Sequence, residues 1–156
     1  MKYQVNLRLM MATLAAGGLA LVSACNGPLG PIPGGRISGT NAAVPAGWAG
    51  LGDSGLAEIE TNPSDPYSVT IAYTIVDGQL YANAGGKESR WAKNTVDNPD
   101  VRLKIDGKIY DMHAIRVEDP AEVARFGKAW TRDLFRRDPT QFEELWLFRL
   151  VPRPAA

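Results

Sequence analysis

The sequence predicts a mainly β fold with helices (α+β), in which antiparallel strands are joined by tight turns. Two observations carry this prediction. The dipeptide Asp-Gly occurs between runs rich in β-branched and aromatic residues, at Asp77-Gly78 and Asp106-Gly107, and is a strong signal for a two-residue hairpin. An amphipathic helix pattern follows from residue 119, so we expect a helix that lies on a barrel or sheet.

The first half of the domain is expected to contain a strand and a hairpin. A strand at Leu56–Thr61 ends at the turn residues 62–66, and Tyr67–Val76 then pairs with Gln79–Ala84. Because side chains alternate across a strand, this register puts one apolar set on a single face, which we expect in the core. The set consists of Ile71, Tyr73, Ile75, Leu80, Ala82 and Ala84.

A second hairpin pairs Val101–Ile105 with a long strand from residue 108 to about 117, and Leu145–Val151 supplies a last buried strand. Counting outward from the turn predicts which residues face each other, with charges outside and apolar side chains inside. The predicted pairs are Val101 with Met112, Leu103 with Tyr110, and Arg102 with Asp111 as an exposed ion pair.

Two helices are expected among these strands. Ser89–Val96 forms a short helix, capped by Ser89 and ended by the Asp-Asn-Pro that follows. A longer helix begins with Asp119 as its N-cap and Pro120 at the first helical position, and Glu122 completes a capping box. Its apolar positions recur at helical spacing before an Asp-Pro stop: Val123, Phe126, Trp130 and Leu134.

Cys25, the only cysteine, predicts where the protein resides. Residues 1–24 have a positive end, an apolar stretch and small residues before the cysteine, as in an export signal. The apolar stretch has about 14 residues, which is too short to span a ~30 Å hydrocarbon core. This segment resembles a bacterial lipoprotein signal, which implies lipidation of Cys25 and a membrane anchor. Asn26 follows the cysteine, which favours the outer membrane, with the domain facing the periplasm.

Residues 25–50 are rich in Gly and Pro, and two alternatives stay open for them. Such a composition is typical of a tether that buries too little apolar surface to become ordered. Alternatively, Ile37, Val44 and Trp48 pack onto the domain as an arm. The globular domain is assigned to residues 51–156 in either case.

Composition excludes several function classes. Removing Lys2 and Arg8 with the signal leaves 15 basic against 17 acidic residues, so nothing attracts nucleic acid. A lipidated Cys25 leaves the domain with no cysteine for a metal site, a disulfide or a thiol nucleophile. The only histidine, His113, excludes a multi-histidine zinc site and is most simply a satisfied barrel residue.

A Gly-Gly loop leads into the short helix and is a candidate anion site. Backbone N–H groups at a helix N-terminus, with Lys87, Arg90 and Lys93 around them, suit a cofactor phosphate. The alternative is a tight strand-to-helix turn with solvated charges. Trp91 on the same helix is either a stacking partner for a ring or part of the core.

The stretch from 80 to 103 resembles the split β-barrel flavin-binding superfamily, which includes pyridoxamine 5'-phosphate oxidases and deazaflavin-dependent nitroreductases. The resemblance is greatest to the nitroreductases and covers roughly residues 58–125. It rests on a glycine loop, a Trp-bearing helix, Asn-Pro, and a hairpin that runs into Asp-Pro-Ala-Glu. The residues concerned are Gly85-Gly86, Trp91, Asn94, Asn98-Pro99, Asp106-Gly107 and 119–122.

The resemblance implies a six-stranded antiparallel split β-barrel with one short and one longer amphipathic helix, a homodimer, and FMN or another flavin or deazaflavin as cofactor. It implies no particular catalytic residue. The basic residues with which the two branches of the superfamily hold the cofactor phosphate are incomplete in this sequence. Residues 61–70 contain no basic side chain, and Trp91 occupies the position where the phosphate oxidases have a lysine. The implied cofactor-binding residues are Lys87, Ser89, Arg90 and Lys93 at the phosphate and Trp91 at the ring.

Two functions therefore remain open. One is a flavin- or deazaflavin-dependent oxidoreductase anchored in the cell envelope, in which the cofactor carries the redox chemistry. The other is a cofactor-free split barrel that binds a small apolar or anionic ligand, or a partner, in the envelope.

Overall fold

Six antiparallel strands close into a barrel in the computed structural model, which describes residues 26–48, 50–86, 88–130 and 146–154. In the barrel, β6 pairs with β5, followed by β2, β3, β4 and β7, and β7 pairs back with β6. This confirms the predicted barrel. The strands are β1 (Thr40–Asn41), β2 (Ser54–Thr61), β3 (Tyr67–Val76), β4 (Gln79–Ala84), β5 (Asp100–Ile105), β6 (Lys108–Arg116) and β7 (Trp146–Pro152).

Both hairpins have the predicted turns and registers. Asp77 and Gly78 have φ values of 51° and 75°, and Asp106 and Gly107 have 50° and 77°, as a type I′ turn requires. Ile75 faces Leu80 and Tyr73 faces Ala82 in the first hairpin. The three predicted pairs of the second hairpin are all present.

The barrel interior is closely filled by apolar side chains from every strand of the barrel. The side chains with almost no exposed surface include Ile59, Leu80, Leu103, Met112 and Phe148. They lie at alternate positions, as strands with one face in the core require. The predicted apolar face of the first hairpin lies in this core, where Ile75 is only partly buried.

The short helix α1 (Arg90–Asp97) lies against the barrel through Trp91, Ala92 and Thr95. Ser89 occupies its N-cap position, but its hydroxyl makes no capping hydrogen bond, so the predicted side-chain cap is wrong. The carbonyl of Ser89 instead accepts the first helical bond, from the N–H of Lys93.

The longer helix α2 (Pro120–Trp130) begins with Asp119 as its N-cap, as predicted, but only one half of the predicted capping box forms. The carboxylate of Asp119 accepts hydrogen bonds from the backbone N–H groups of Ala121 and Glu122, at 3.3 and 3.1 Å. The Glu122 carboxylate is not turned back toward the cap; it accepts a 2.8 Å hydrogen bond from the Tyr81 hydroxyl of the barrel. The predicted continuation through Leu134 lies outside the described residues.

Residues 26–48 pack along the barrel, so the structure shows the arm and not the tether in this range. Ile37 and Trp48 are buried, and Val44 is partly buried against the core. β1 pairs in parallel with the first residues of β6, which β7 does not reach. No helix among the described residues is long and apolar enough to span a bilayer.

The predicted ion pair between Arg102 and Asp111 is present but long. The two residues face each other, and their closest charged atoms are 3.9 Å apart. The guanidinium of Arg102 lies nearer to Glu60, at 3.0 Å, and Glu60 is only 3% exposed. Arg102 therefore pairs more closely with the buried Glu60 on β2 than with the exposed Asp111 on β6.

Candidate functional site

Three of the residues predicted to hold a cofactor phosphate, Ser89, Arg90 and Lys93, lie at the beginning of α1. The fourth, Lys87, lies outside the described residues. Arg90 is exposed, and its guanidinium carbon lies 4.4 Å from the centre of the Tyr67 ring, which is a cation–π contact. Sequence reasoning missed Tyr67 as the aromatic side chain beside these cations.

Lys93, one turn further along α1, already has an anionic partner. Its ammonium lies 2.9 Å from the Glu88 carboxylate, and both side chains are exposed. A ligand phosphate must compete with Glu88 for this charge, although an exposed ion pair of this kind contributes less than about 1 kcal/mol. The ion pair with Glu88 therefore weakens the predicted phosphate site but does not prevent a phosphate from binding there.

Trp91 lies in the core. It is 7% exposed, and its ring packs against Phe148 with the ring centres 5.6 Å apart. Of the two alternatives for Trp91, the structure shows the core residue, because its indole faces the barrel interior together with Ala92. A ligand lying on the outer face of α1 would meet Arg90 and Lys93 but not this ring.

A groove of about 440 Å³ lies between the end of α1 and strands β6 and β7. This volume is within the range of small-molecule sites, roughly 300–1,000 Å³. Aromatic and aliphatic side chains make up most of its wall, with one cation and one acid. The lining residues are Thr95, Val96, Pro99, Ala114, Arg116, Glu118, Trp146 and Phe148.

The cation of the groove, Arg116, is positioned by cation–π contacts with two aromatic rings. The guanidinium carbon of Arg116 lies 4.3 Å from the centre of the Trp146 ring and 5.7 Å from that of Phe148. The Trp146 indole Nε1 and the Arg116 Nε are buried and have no hydrogen-bond partner among the residues that the structure describes. Buried donors are normally paired, so these two are candidates for pairing when a ligand with acceptor atoms fills the groove.

His113 and Arg153 are both paired with the same carboxylate, that of Asp100. His113 Nδ1 lies 2.9 Å from Asp100, and Arg153 lies 3.6 Å from the same carboxylate. This agrees with the expectation of a satisfied barrel histidine. No group of three His, Cys, Asp or Glu side chains that could hold a metal occurs in the described parts of the chain.

Comparison with known proteins shows the fold. No protein-family model matches the sequence, and a search of curated proteins finds no match. A conserved hypothetical protein from Mycobacterium tuberculosis matches with a TM-score of 0.51 and 19% identity, over 64% of this chain and 73% of that chain. At such identity the match establishes the barrel alone.

Two further solved structures share the arrangement more loosely. A candidate pyridoxamine 5'-phosphate oxidase from Listeria innocua has a TM-score of 0.49 and 18% identity, over 64% of this chain and 84% of that one. A FAD-binding protein from Mesorhizobium loti has a TM-score of 0.47 and 17% identity, over 64% and 79%. The antiparallel β-barrel that the resemblance implied is the fold that the structure has.

Proposed function

We propose that this protein is an envelope lipoprotein whose barrel binds a planar ligand with an anionic group, of the flavin or deazaflavin class. The observation that carries the binding proposal is the groove beside α1. It combines aromatic walls with the Arg116 cation and with the Trp146 indole N–H, which has no partner in the described part of the chain. An isoalloxazine-type ring is flat, largely apolar and rich in acceptor atoms, which is the chemistry that these residues match.

Within this proposal the protein supplies binding and orientation. Arg116 attracts the anionic part of the ligand, and Trp146 and Phe148 contact its planar part. Arg90 and Lys93 at the other end of α1 form a second cationic position, open to solvent. A bound flavin carries electron or hydride transfer itself, and oxidoreductase activity is the finer part of the proposal.

The binding test uses the mature chain from residue 25 onward, so that the arm is retained. We expect absorbance at roughly 370–450 nm on purification, a general property of flavins, or binding of added FMN measured by flavin fluorescence. Arg116→Gln should weaken FMN binding at least about tenfold, because it removes the groove cation. Arg125→Gln removes an equal charge from the exposed face of α2 and serves as the matched control.

A double variant, Arg90→Gln with Lys93→Gln, locates the ligand. Loss of FMN binding in this variant alone would move the site to the beginning of α1. A colourless protein that binds neither FMN, FAD nor a deazaflavin would overturn the flavin proposal.

The cofactor-free binding module remains a second candidate because of two observations. Lys93 is already paired with Glu88, and Trp91 lies in the core, so the phosphate grip expected from the resemblance is incomplete. The probe for this function is anilinonaphthalene sulfonate, a flat apolar anion without redox chemistry. Binding of this probe that depends on Arg116, without any binding of flavins, would favour the module.

A homodimer belongs to the same proposal. Val96 lines the groove and is 52% exposed, and a second copy is the expected cover. Sedimentation velocity of the mature chain should show a dimer, and Val96→Glu should shift it toward the monomer. A monomer at all concentrations would contradict this part.

The anchor is tested separately. We expect the mass of the exported protein to show acyl chains on Cys25, and the protein to partition into detergent and to fractionate with outer membranes. Cys25→Ser should give an unacylated protein that partitions into water. An unacylated wild-type protein would refute the lipoprotein assignment while leaving the groove untouched.

A further inference from the structure

The arm begins with a turn that exposes two large apolar side chains. Leu29 is 71% exposed and Ile32 is 61% exposed. Their backbones exchange two hydrogen bonds of 3.0 Å, and Gly30 adopts φ 58° between them. We call residues 29–32 the apolar turn. The backbone of this turn is closed on itself, and most of the surface of both side chains remains exposed.

The base of the apolar turn is held on the barrel. Gly34 and Ser68 of β3 exchange backbone hydrogen bonds of 2.9 and 2.8 Å, and the N–H of Gly35 donates to the carbonyl of Asn26 at 2.6 Å. The chain crosses itself here so closely that a Cβ on Gly34 would overlap the backbone of Gly27. Any side chain at residue 34 would therefore open the loop.

The buried Glu60 holds the arm at Ile37. Its carboxylate accepts the N–H of Ile37 at 2.7 Å, and the Ile37 side chain is only 2% exposed. The arm is therefore attached to the barrel on the C-terminal side of the apolar turn, at Gly34 and at Ile37.

The predicted lipid site, Cys25, precedes this turn closely in the sequence. Cys25 precedes Leu29 by four residues, which span at most about 14 Å of extended chain. If acyl chains on Cys25 lie in the bilayer, Leu29 and Ile32 are kept within reach of the boundary between headgroups and acyl chains. Exposed aliphatic side chains are stabilised there, and the anchor removes most of the entropy cost of bringing them to the surface.

We propose that the apolar turn contacts the lipid bilayer and docks the barrel on the membrane. This inference rests on the proposed lipidation of Cys25. With this contact the barrel is held at the membrane surface in one orientation, whereas a flexible tether alone would leave its orientation free.

The test measures the depth of the turn in the membrane. Leu29→Cys and Ile32→Cys are each made in the full chain, exported and purified, and labelled with a nitrobenzoxadiazole fluorophore, which an acylated Cys25 does not accept. The proteins are placed in vesicles of phosphatidylethanolamine and phosphatidylglycerol with brominated acyl chains. The matched control is Leu56→Cys on β2, because Leu56 is also 71% exposed.

We expect bromine quenching at residues 29 and 32 to exceed that at residue 56 at least about twofold. Equal quenching at all three positions in protein whose mass shows the acyl chains would overturn the contact while the anchor stands. An unacylated Cys25 would overturn both. A blue-shifted label without bromine quenching would show a protein partner on the turn and would also overturn the proposal.

Discussion

Glu60 joins three parts of the molecule at one buried carboxylate. It accepts the backbone N–H of Ile37 from the arm, and it lies 3.0 Å from Arg102 of β5 and 3.7 Å from Arg36. A buried charge is tolerated only when it is paired in this way. Glu60 therefore connects β2, β5 and the arm by a single side chain.

We expect Glu60→Ala to lower the free energy of unfolding by about 3 kcal/mol, because it removes the nearest acceptor of Arg102 and the acceptor of the Ile37 N–H. The matched control is Glu58→Ala on the same strand, whose 3.0 Å pair with Lys104 is partly exposed and should contribute less than about 1 kcal/mol. Urea unfolding followed by tryptophan fluorescence measures both values. Equal losses would show that Glu60 is no more than an ordinary surface partner.

The ionisation of the Tyr81 hydroxyl makes the stability of the fold depend on pH in the alkaline range. Burial and the hydrogen bond to Glu122 raise the pKa of Tyr81 from 10.0 to about 12. Since the folded-state pKa is the higher one, the unfolded chain loses this proton first. The stabilisation is fully present below pH 10 and is lost as the pH rises from 10 to about 12.

We expect Tyr81→Phe to lower stability by about 1 kcal/mol at pH 8, where the lost hydrogen bond counts in full. Between pH 10 and 12 the wild type should lose stability faster than the variant, by roughly 1 kcal/mol per pH unit. Urea midpoints at pH 8, 10 and 11.5 give the comparison. Parallel curves for the two proteins would contradict the raised pKa of Tyr81.

The arm is the element whose contribution is least visible in the sequence. Its two isoleucines provide a matched test, since Ile37 is 2% exposed and Ile32 is 61% exposed. We expect Ile37→Ala to cost about 2–4 kcal/mol through the cavity that it leaves, and Ile32→Ala less than about 0.5 kcal/mol. Thermal and urea unfolding of both variants decide this. A small loss at Ile37 would mean that the arm adds little to the barrel.

The hairpins could be predicted from the sequence to the residue because their determinants are local. Asp77-Gly78 and Asp106-Gly107 adopt left-handed backbone conformations that few other dipeptides accept, and the register follows from the turn. The start of α2 was equally local, through Asp119 and Pro120. Each of these signals lies within a few residues of the structure that it determines.

The arm and the groove could not be predicted in this way. The arm has a Gly- and Pro-rich composition without periodicity, and its order comes from long-range partners such as Glu60 and Ser68. The groove is built from residues 95–99, 114–118 and 146–148, which only the closure of the barrel brings together. Trp91 was open to both readings, because core and ligand-stacking side chains have the same helical spacing.

At the scale of the whole molecule, the arm and the groove are separate. The groove residues do not include any member of the arm, and the contacts that hold the arm involve β2, β3, β5 and β6 at other positions. The two proposals therefore divide the molecule into an attachment part and a binding part. Changes in one should leave the function of the other intact.

We expect saturating FMN to raise the unfolding temperature of the mature chain, since a ligand at 100 times its Kd adds about 2.7 kcal/mol to the folded state. Glu60→Ala should lower the unfolding temperature but keep the increment from FMN, because independent sites contribute additively. Arg116→Gln should show the opposite pattern, with a small change without ligand and a much reduced increment. An increment that disappears in Glu60→Ala would show that the arm shapes the groove, and the separation of attachment from binding would then be wrong.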